Sequence, residues 1–457
     1  MKSSHRVLTA LLAGVMAVSM AGCGTSSVTP STSTDPSASS QGSGASSTPS
    51  AGPAETLTLL MYTDWYRSGW QALEEHINQN ADSLGFKLEI SRIQGGQQGD
   101  QLIQTKFATS DLPDLMMVYK PQWVEAFANG LDQLVPLDDL TNLDQYDENA
   151  LNGTYRYKDT VYSVPVDSVT LSGLFYNKKV FEQAKVSIPT TWDEFLAACE
   201  KIKAIGVTPV FYSCRDVWSA QPFALTGFTS DAVKAGTDTF GLIEKINTHK
   251  TTFAECDTFV DTLARSKELI DKGYVNETYL SDTVDDAHQA LADGTAAMFV
   301  NGTWAADDIN RKFPDKIQDI GAFALPMADG DNYINMFTPY SLVVTTKASN
   351  TDLAKKAVDY IISKEAQQIY ADAQPGLYLN KNVTNTLTGA TADLKAIMDS
   401  GKSMTDWEEI VNYSYGNLGE YVLNYYTGTF QEAKDVAKAM DDETARNAKA
   451  KGDANWQ

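Results

Sequence analysis

Residues 56–78 read TLTLLM, then YTDWYRS, then GWQALEEHIN. Threonine and leucine alternate through the first four, and the run TLTLLM predicts a strand over Thr56–Met61. Leu73 and Ile77, four apart, share one face of a helix predicted over Gly69–Asn78, and Tyr62–Ser68 is the turn between them. The same unit recurs. Leu115–Val118 is a strand followed by Tyr119-Lys120-Pro121 and a helix through Trp123 and Phe127. Thr208–Phe211 is a strand followed by Tyr212–Trp218. Ala296–Val300 is a strand followed by Asn301-Gly302-Thr303-Trp304 and a helix. Strands that alternate with helices in this way indicate the α/β class.

In open α/β sheets, ligands sit outside the carboxyl ends of the strands. Each of the four strand exits carries an aromatic beside polar groups: Tyr62, Asp64 and Trp65; Tyr119, Gln122 and Trp123; Tyr212, Asp216 and Trp218; Asn301 and Trp304. Together they predict a cleft lined with flat rings and hydrogen-bonding side chains. Sugar rings present apolar C–H faces and a rim of hydroxyls, so that lining suits a carbohydrate. The plainer reading makes the tryptophans ordinary core or cap packing, and the aspartates at strand ends helix N-caps.

Other local signals are clear. Thr191-Trp192-Asp193-Glu194 predicts a capping box, with Phe195, Cys199 and Ile202 on one helix face and Gly206 as the stop. Asn350 precedes a helix with Leu353, Ala357 and Tyr360–Ile361 on its apolar side, and Gln431–Lys451 is helical by propensity.

The chain starts with Lys2 and Arg6, an apolar run from Val7 to Met20, and small residues before Cys23. This is the order of a secretory signal peptide, and the run is shorter than the ~20 residues that span a bilayer. The Met20-Ala21-Gly22-Cys23 junction resembles a bacterial lipobox, which makes Cys23 the expected lipidation site. From Gly24 to Pro53 the only charge is Asp35 among Ser, Thr, Gly, Ala and Pro, an expected disordered tether with a span of ~30 Å. Residues 1–22 hold two of the 36 basic residues and none of the 59 acids, so their removal leaves 435 residues with net charge −25. Such acidity argues against nucleic acid and against attraction to anionic lipid. The body of about 400 residues points to two domains.

No metal or cofactor is expected. His76, His249 and His288 lack ligand spacing, and no Walker, dinucleotide or Gly-x-Ser-x-Gly pattern occurs. Gly95-Gly96-Gln97-Gln98-Gly99 reads as a surface turn. Paired acids such as Glu74–Glu75, Asp138–Asp139 and Glu408–Glu409 read as solvated faces, so no catalysis is expected. Of the three remaining cysteines, Cys199 lies in a helical apolar pattern, which leaves Cys214–Cys256 as the one candidate disulfide.

Several segments together resemble the family 1 extracellular solute-binding proteins of ABC importers, the maltose-binding-protein-like group. They are Leu112–Leu115 (LPDL) with the Trp123 helix, Tyr157–Pro165 (YKDTVYSVP), Leu174–Lys178 (LFYNK), Ile188–Phe195 (IPTTWDEF), Leu291–Trp304 (LADGTAAMFVNGTW), Tyr340–Thr346 (YSLVVTT), the Leu353–Ile362 helix and Gly376–Asn380 (GLYLN). The resemblance implies a two-lobed periplasmic-binding-protein-like α/β fold with a ligand cleft between lobes. It implies three inter-lobe crossovers, expected near Asp167–Thr170, Met298–Thr303 and Thr338–Ser341. The expected division is 1–22 signal peptide, 23–54 lipidated cysteine and tether, 55–168 plus 300–339 as lobe 1, and 169–299 plus 340–457 as lobe 2. The ligand residues it implies match Asp64, Trp65, Tyr119, Asp167, Trp218, Trp304 and Tyr340, with Tyr378 added from GLYLN; the strand exits add Tyr62, Asp216 and Asn301. The expected function is capture of a carbohydrate, an oligosaccharide, by hinge closure and its delivery to the transmembrane subunits of an ABC permease. The protein would be a monomer held outside the cell membrane by its lipid anchor. The loop Tyr62–Trp70 (YTDWYRSGW) departs from the commonest family pattern in its aromatic content. Alternatives are a binding protein for a polyamine or peptide, one for a carboxylate if Arg67 lies in the site, a cell-surface glycoside hydrolase, and a purely structural lipoprotein.

Overall fold

A computed structural model describes residues 54–456, apart from residues 126, 153, 238 and 414–416 and the side chains of residues 97 and 149. The expected signal segment, Cys23 and nearly all of the tether therefore lie outside the described residues. Two sheets organise the body. The first runs Phe86–Ile93, Glu55–Tyr62, Leu115–Val118, Ser341–Val344, Val164–Pro165. Glu55–Tyr62 is parallel to both its neighbours, and Ser341–Val344 runs antiparallel to Leu115–Val118. The order reverses between Glu55–Tyr62 and Leu115–Val118, so the exits at Tyr62 and Tyr119 open at a topological switch point.

The second sheet runs Ser403–Thr405, Ile334–Phe337, Thr170–Asn177, Ala296–Gly302, Thr208–Val210, with Ile320–Phe323 also antiparallel to Thr170–Asn177. Thr170–Asn177 is buried on both faces. Leu174 enters a core around Phe195, Phe228, Phe259 and Trp407, and Leu171 and Phe175 enter a second core with Leu291, Phe299 and Ile309. A sheet covered on both sides reads as a continuous apolar run, and LFY within the strand does so. The first lobe has its own core around Trp70, Phe86, Phe107, Tyr155 and Tyr370.

Two crossings match expectation. The chain leaves the first sheet at Pro165 and enters the second at Thr170, and it returns between Phe337 and Ser341. The third does not lie at Met298–Thr303. That segment stays in the second sheet, where Ser172 pairs with Gly302 and Tyr176 with Met298. The crossing falls instead between Val383, in the first lobe's core, and Ala390, in the second's. Residues 300–339 accordingly belong with the second sheet, and Ser341–Val344 with helices Thr351–Ile361 and Lys364–Ala373 belongs with the first. Strand partnership decides this, and a single strand's residues do not encode it.

Local signals translate well. Thr191 Oγ1 accepts from the Glu194 amide at 3.2 Å, while Glu194 reaches one residue further back, to the Thr190 amide at 2.8 Å. Gly206 has φ +79° after the helix, and Asn350 Oδ1 caps Leu353 at 3.1 Å. Cys199, Cys214 and Cys256 are all free and buried, so the candidate Cys214–Cys256 disulfide is not formed; Cys256 Sγ lies 3.1 Å from Thr258 Oγ1 instead. Among the described residues, no helix is long and apolar enough to cross a membrane.

Candidate functional site

The Glu55–Tyr62 exit is a wall of rings. Thr63–Trp65 makes one 3-10 turn that folds the Trp65 indole inward, leaving it 4% exposed. The indole stacks on Tyr340 at 3.9 Å with planes 17° apart. Tyr62 and Tyr119 meet it edge-on at 4.6 and 5.0 Å. Tyr62 is buried, and its hydroxyl bonds to Asp100. Burial, with Tyr119 and Asp100 adding, pushes the Tyr62 hydroxyl far above its usual range. Trp65 and Tyr62 thus shape the wall, and Tyr119, 36% exposed, is the ring that faces outward.

The second lobe supplies the opposing plates. Trp304 follows Gly302, where an added Cβ would lie 2.4 Å from the indole, so only glycine lets the ring lie against that backbone. Trp218, 39% exposed, meets Trp304 at 6.2 Å and 69°. The Arg67 guanidinium, from the first lobe, sits 6.0 Å from the Trp304 ring centre, which brings the two walls face to face.

Acids line the floor. Asp167, buried in the first crossing, accepts from the Ser168 amide at 2.6 Å and from Gln374 Nε2 at 2.9 Å. Gln374 Oε1 in turn accepts from the Gly69 amide at 3.3 Å, which ties the start of helix Ser68–Gln79 to the hinge. Burial raises the Asp167 carboxyl, with Arg67 opposing. Desolvation also raises exposed Asp64; Arg67 acts against it, and Asp216, Asp308 and Asp285 of the second lobe add to it. Burial resists ionisation of Asp308, yet Arg67 and Arg311, whose Nη2 is 2.7 Å away, hold that carboxyl below its usual range.

The remaining expected residues have local duties. Asp216 accepts from the Val284 amide at 2.8 Å at the start of helix Val284–Asp293, the N-terminal role that the plainer reading gives such an aspartate. Asn301 is fully buried; its Oδ1 accepts from the Gly302 amide at 2.8 Å, and among the described residues its Nδ2 has no partner. Tyr378 is 5% exposed, donates to the Gln374 carbonyl at 2.5 Å and packs on Tyr370 at 5.9 Å, so it supports the hinge from behind. Sequence reasoning named Arg67 only as a sign of an alternative, and it missed Asp307, Asp308, Tyr370 and Gln374. Spacing to Trp304 on helix Trp304–Lys312 was the one signal available for Asp307 and Asp308.

A second seam joins the lobes beside the Tyr340 crossing. Lys120 Nζ, from the first lobe, donates to the Glu409 carbonyl, and Glu409 Oε1 accepts from the Thr338 amide at 2.8 Å. The pair Glu408–Glu409, expected as a solvated face, is therefore part of the seam. Among the described residues Glu408 Oε1 is buried without a partner, and burial pushes this carboxyl up to about 7, with Lys120 opposing and Glu409 and Glu443 adding. A carboxyl raised on folding stabilises the native state below its unfolded value near 4.5, and that contribution is lost as pH rises through about 7. Glu408→Gln should therefore gain on the parent protein between pH 6 and pH 8, by about 1 kcal/mol, in urea unfolding at each pH. A parallel pH profile for the two proteins would contradict this.

The sequence profile of the bacterial extracellular solute-binding protein family matches residues 69–368. The multiple sugar-binding protein of Streptococcus mutans is 28% identical over 283 residues, 59% of this chain and 63% of its own length, so the chain spans just under two thirds of that relative. An uncharacterized ABC transporter extracellular-binding protein of Pyrococcus horikoshii is 25% identical over 341 residues, 72% of this chain and 73% of that one. Among solved structures, a chitin oligosaccharide binding protein superposes with TM-score 0.73 at 22% identity, covering 87% of this chain and 100% of its own. A sugar transporter protein from Bacillus licheniformis in complex with stachyose gives 0.70 at 17%, covering 86% and 100%. At these identities the structural likenesses show the fold, which is the two-lobed α/β one.

Proposed function

Because the chain belongs to the bacterial extracellular solute-binding proteins, we propose that it captures a carbohydrate between its lobes and delivers it to the transmembrane subunits of an ABC importer. The observation that carries this reading is the pairing of outward-facing rings on opposite walls, Tyr119 on one and Trp218 with Trp304 on the other, around polar groups at the hinge. Rings stack on the C–H faces of a sugar while donors and acceptors meet its hydroxyls. The several plates suit an oligosaccharide. The names of the relatives point the same way, since they include a multiple sugar-binding protein, a chitin oligosaccharide binding protein and a protein bound to stachyose.

A ligand touching both lobes binds the closed arrangement better than the open one and shifts the population toward it. No covalent step is needed, and the protein acts as a carrier rather than a catalyst. Cys23 would carry the lipid that holds the carrier outside the membrane near its permease. In the first instance the ligand residues are Tyr119, Asp167, Trp218, Trp304 and Tyr340, with Asp64 at the rim, while Tyr62, Trp65, Asn301, Asp216 and Tyr378 hold them in place. A polyamine would find the aspartates and, by cation–π contact, the rings, so the ligand screen includes it.

A thermal-shift screen of mono- and oligosaccharides, polyamines and short peptides tests the reading. A sugar at 100 times its dissociation constant adds about 2.7 kcal/mol to the native state and raises the melting temperature. A response to a polyamine or peptide and to no sugar would overturn it.

A further inference from the structure

We propose that Gln374 is a positioning residue of the sugar site: it does not meet the sugar, and it sets the direction in which the Asp167 carboxylate does. This rests on the carbohydrate reading, in which Asp167 is a ligand residue, and adds the residue that acts through it.

Gln374 follows helix Lys364–Ala373 of the first lobe, its amide donating to the Tyr370 carbonyl at 2.9 Å. It is 1% exposed, so a ligand in the cleft does not reach it. Its side chain has a fixed sense. Oε1 accepts from the Gly69 amide at 3.3 Å, and Nε2 donates to Asp167 Oδ1 at 2.9 Å. Turning the amide over would set its NH2 against an N–H and its oxygen against a carboxylate, so only one orientation satisfies both partners. Asp167 Oδ1 also accepts from the Ser168 amide at 2.6 Å. Two donors on one oxygen fix the plane of the carboxylate, and with it the heading of Oδ2.

The backbone beneath these bonds is held as closely. The Val169 amide donates to the Leu377 carbonyl at 2.7 Å, an antiparallel bridge between the first crossing and the GLYLN segment. An added Cβ on Gly376 would lie 2.7 Å from Ser168 Cβ, so the two stretches touch through a glycine. Gln374 and Asp167 therefore ride on one paired unit at the hinge, and the angle between them survives a turn of one lobe against the other.

The exchange Gln374→Glu keeps the shape and the acceptor for Gly69, but puts a carboxyl where the donor was. At pH 8 two carboxylates then face each other. Towards pH 5 the pair holds a proton, and an O–H donor stands where the N–H stood. The other titratable groups around Asp167 are Arg67, Asp307 and tyrosines Tyr155, Tyr340, Tyr370 and Tyr378. The parent carries all of them, so comparison with it at each pH removes their effect.

Isothermal calorimetry at pH 5 and pH 8 tests this, using whichever of xylotriose, raffinose and chitotriose the parent binds most tightly. Gln374→Glu should bind about 30-fold more weakly than the parent at pH 8, the loss expected for a hydrogen bond to a charged group, and within about 3-fold of it at pH 5. Gln374→Leu, with neither donor nor proton, should lose about 30-fold at both. Urea midpoints near the parent's at each pH would show that the loss is one of affinity and not of folding. A folded Gln374→Leu that binds as the parent does, or a Gln374→Glu that loses as much at pH 5 as at pH 8, overturns the inference and leaves the carbohydrate reading standing. Binding of none of these sugars by the parent overturns both.

Discussion

Trp304→Ala should weaken sugar binding by about 30-fold, and Trp218→Ala by about 10-fold, figures typical of an aromatic anchor that loses its stacking partner. Trp218 is 39% exposed, so its removal should leave the unfolding free energy within about 0.5 kcal/mol of the parent's. The contrast is Trp65→Ala. That indole is 4% exposed and covered on one face by Tyr340, so its loss opens a hole in the wall and should cost about 3 kcal/mol of stability. Calorimetric titration and urea unfolding on the three variants separate the two roles. Unchanged affinity in both Trp218→Ala and Trp304→Ala would remove the rings from the binding account.

Asp114→Ala should be among the most damaging single changes in the first lobe. The aspartate of the LPDL segment is 6% exposed and gathers three parts of the chain. Its Oδ2 accepts from the Thr58 amide and hydroxyl at 2.8 and 2.7 Å, and its Oδ1 from the Ser349 amide and hydroxyl at 2.6 and 2.8 Å. Burial works against ionisation, yet these four donors outweigh it and hold the carboxyl below its usual range. Removal strands these four donors, on strand Glu55–Tyr62 and on the loop before helix Thr351–Ile361, a loss of about 2–3 kcal/mol at pH 7. A carboxyl lowered on folding contributes stability above its unfolded value, and that contribution disappears as pH falls. The variant and the parent should therefore converge below about pH 4. A difference under 1 kcal/mol at pH 7 would contradict this account of the motif.

How much of this could be read in the sequence varies with the range of the interactions. The strand at Leu115–Val118 and the helix starting at Trp192 depend on neighbours a few residues apart, and both form where the pattern puts them. The aromatic exits were legible because strand ends and ring residues coincide four times. The allegiance of 300–339 was not legible, since it depends on Thr170–Asn177 pairing with Ala296–Gly302 and Ile334–Phe337 rather than on any property of those strands alone. The same holds for the site. Trp65 and Trp218 look equivalent in sequence, but one is closed off by a ring 275 positions away and the other is left open. Asp114 stood out only as part of a family-like segment; its work is done through Thr58 and Ser349. Gln374 reaches Asp167 and Gly69 from a distant part of the chain, a relation with no local signature.

Capture between two closing lobes is tested by small-angle X-ray scattering with and without a saturating oligosaccharide. The radius of gyration should be smaller with the sugar, as the Trp218–Trp304 wall approaches Tyr119. An identical scattering profile, with the sugar shown to be bound in the same sample, would contradict it.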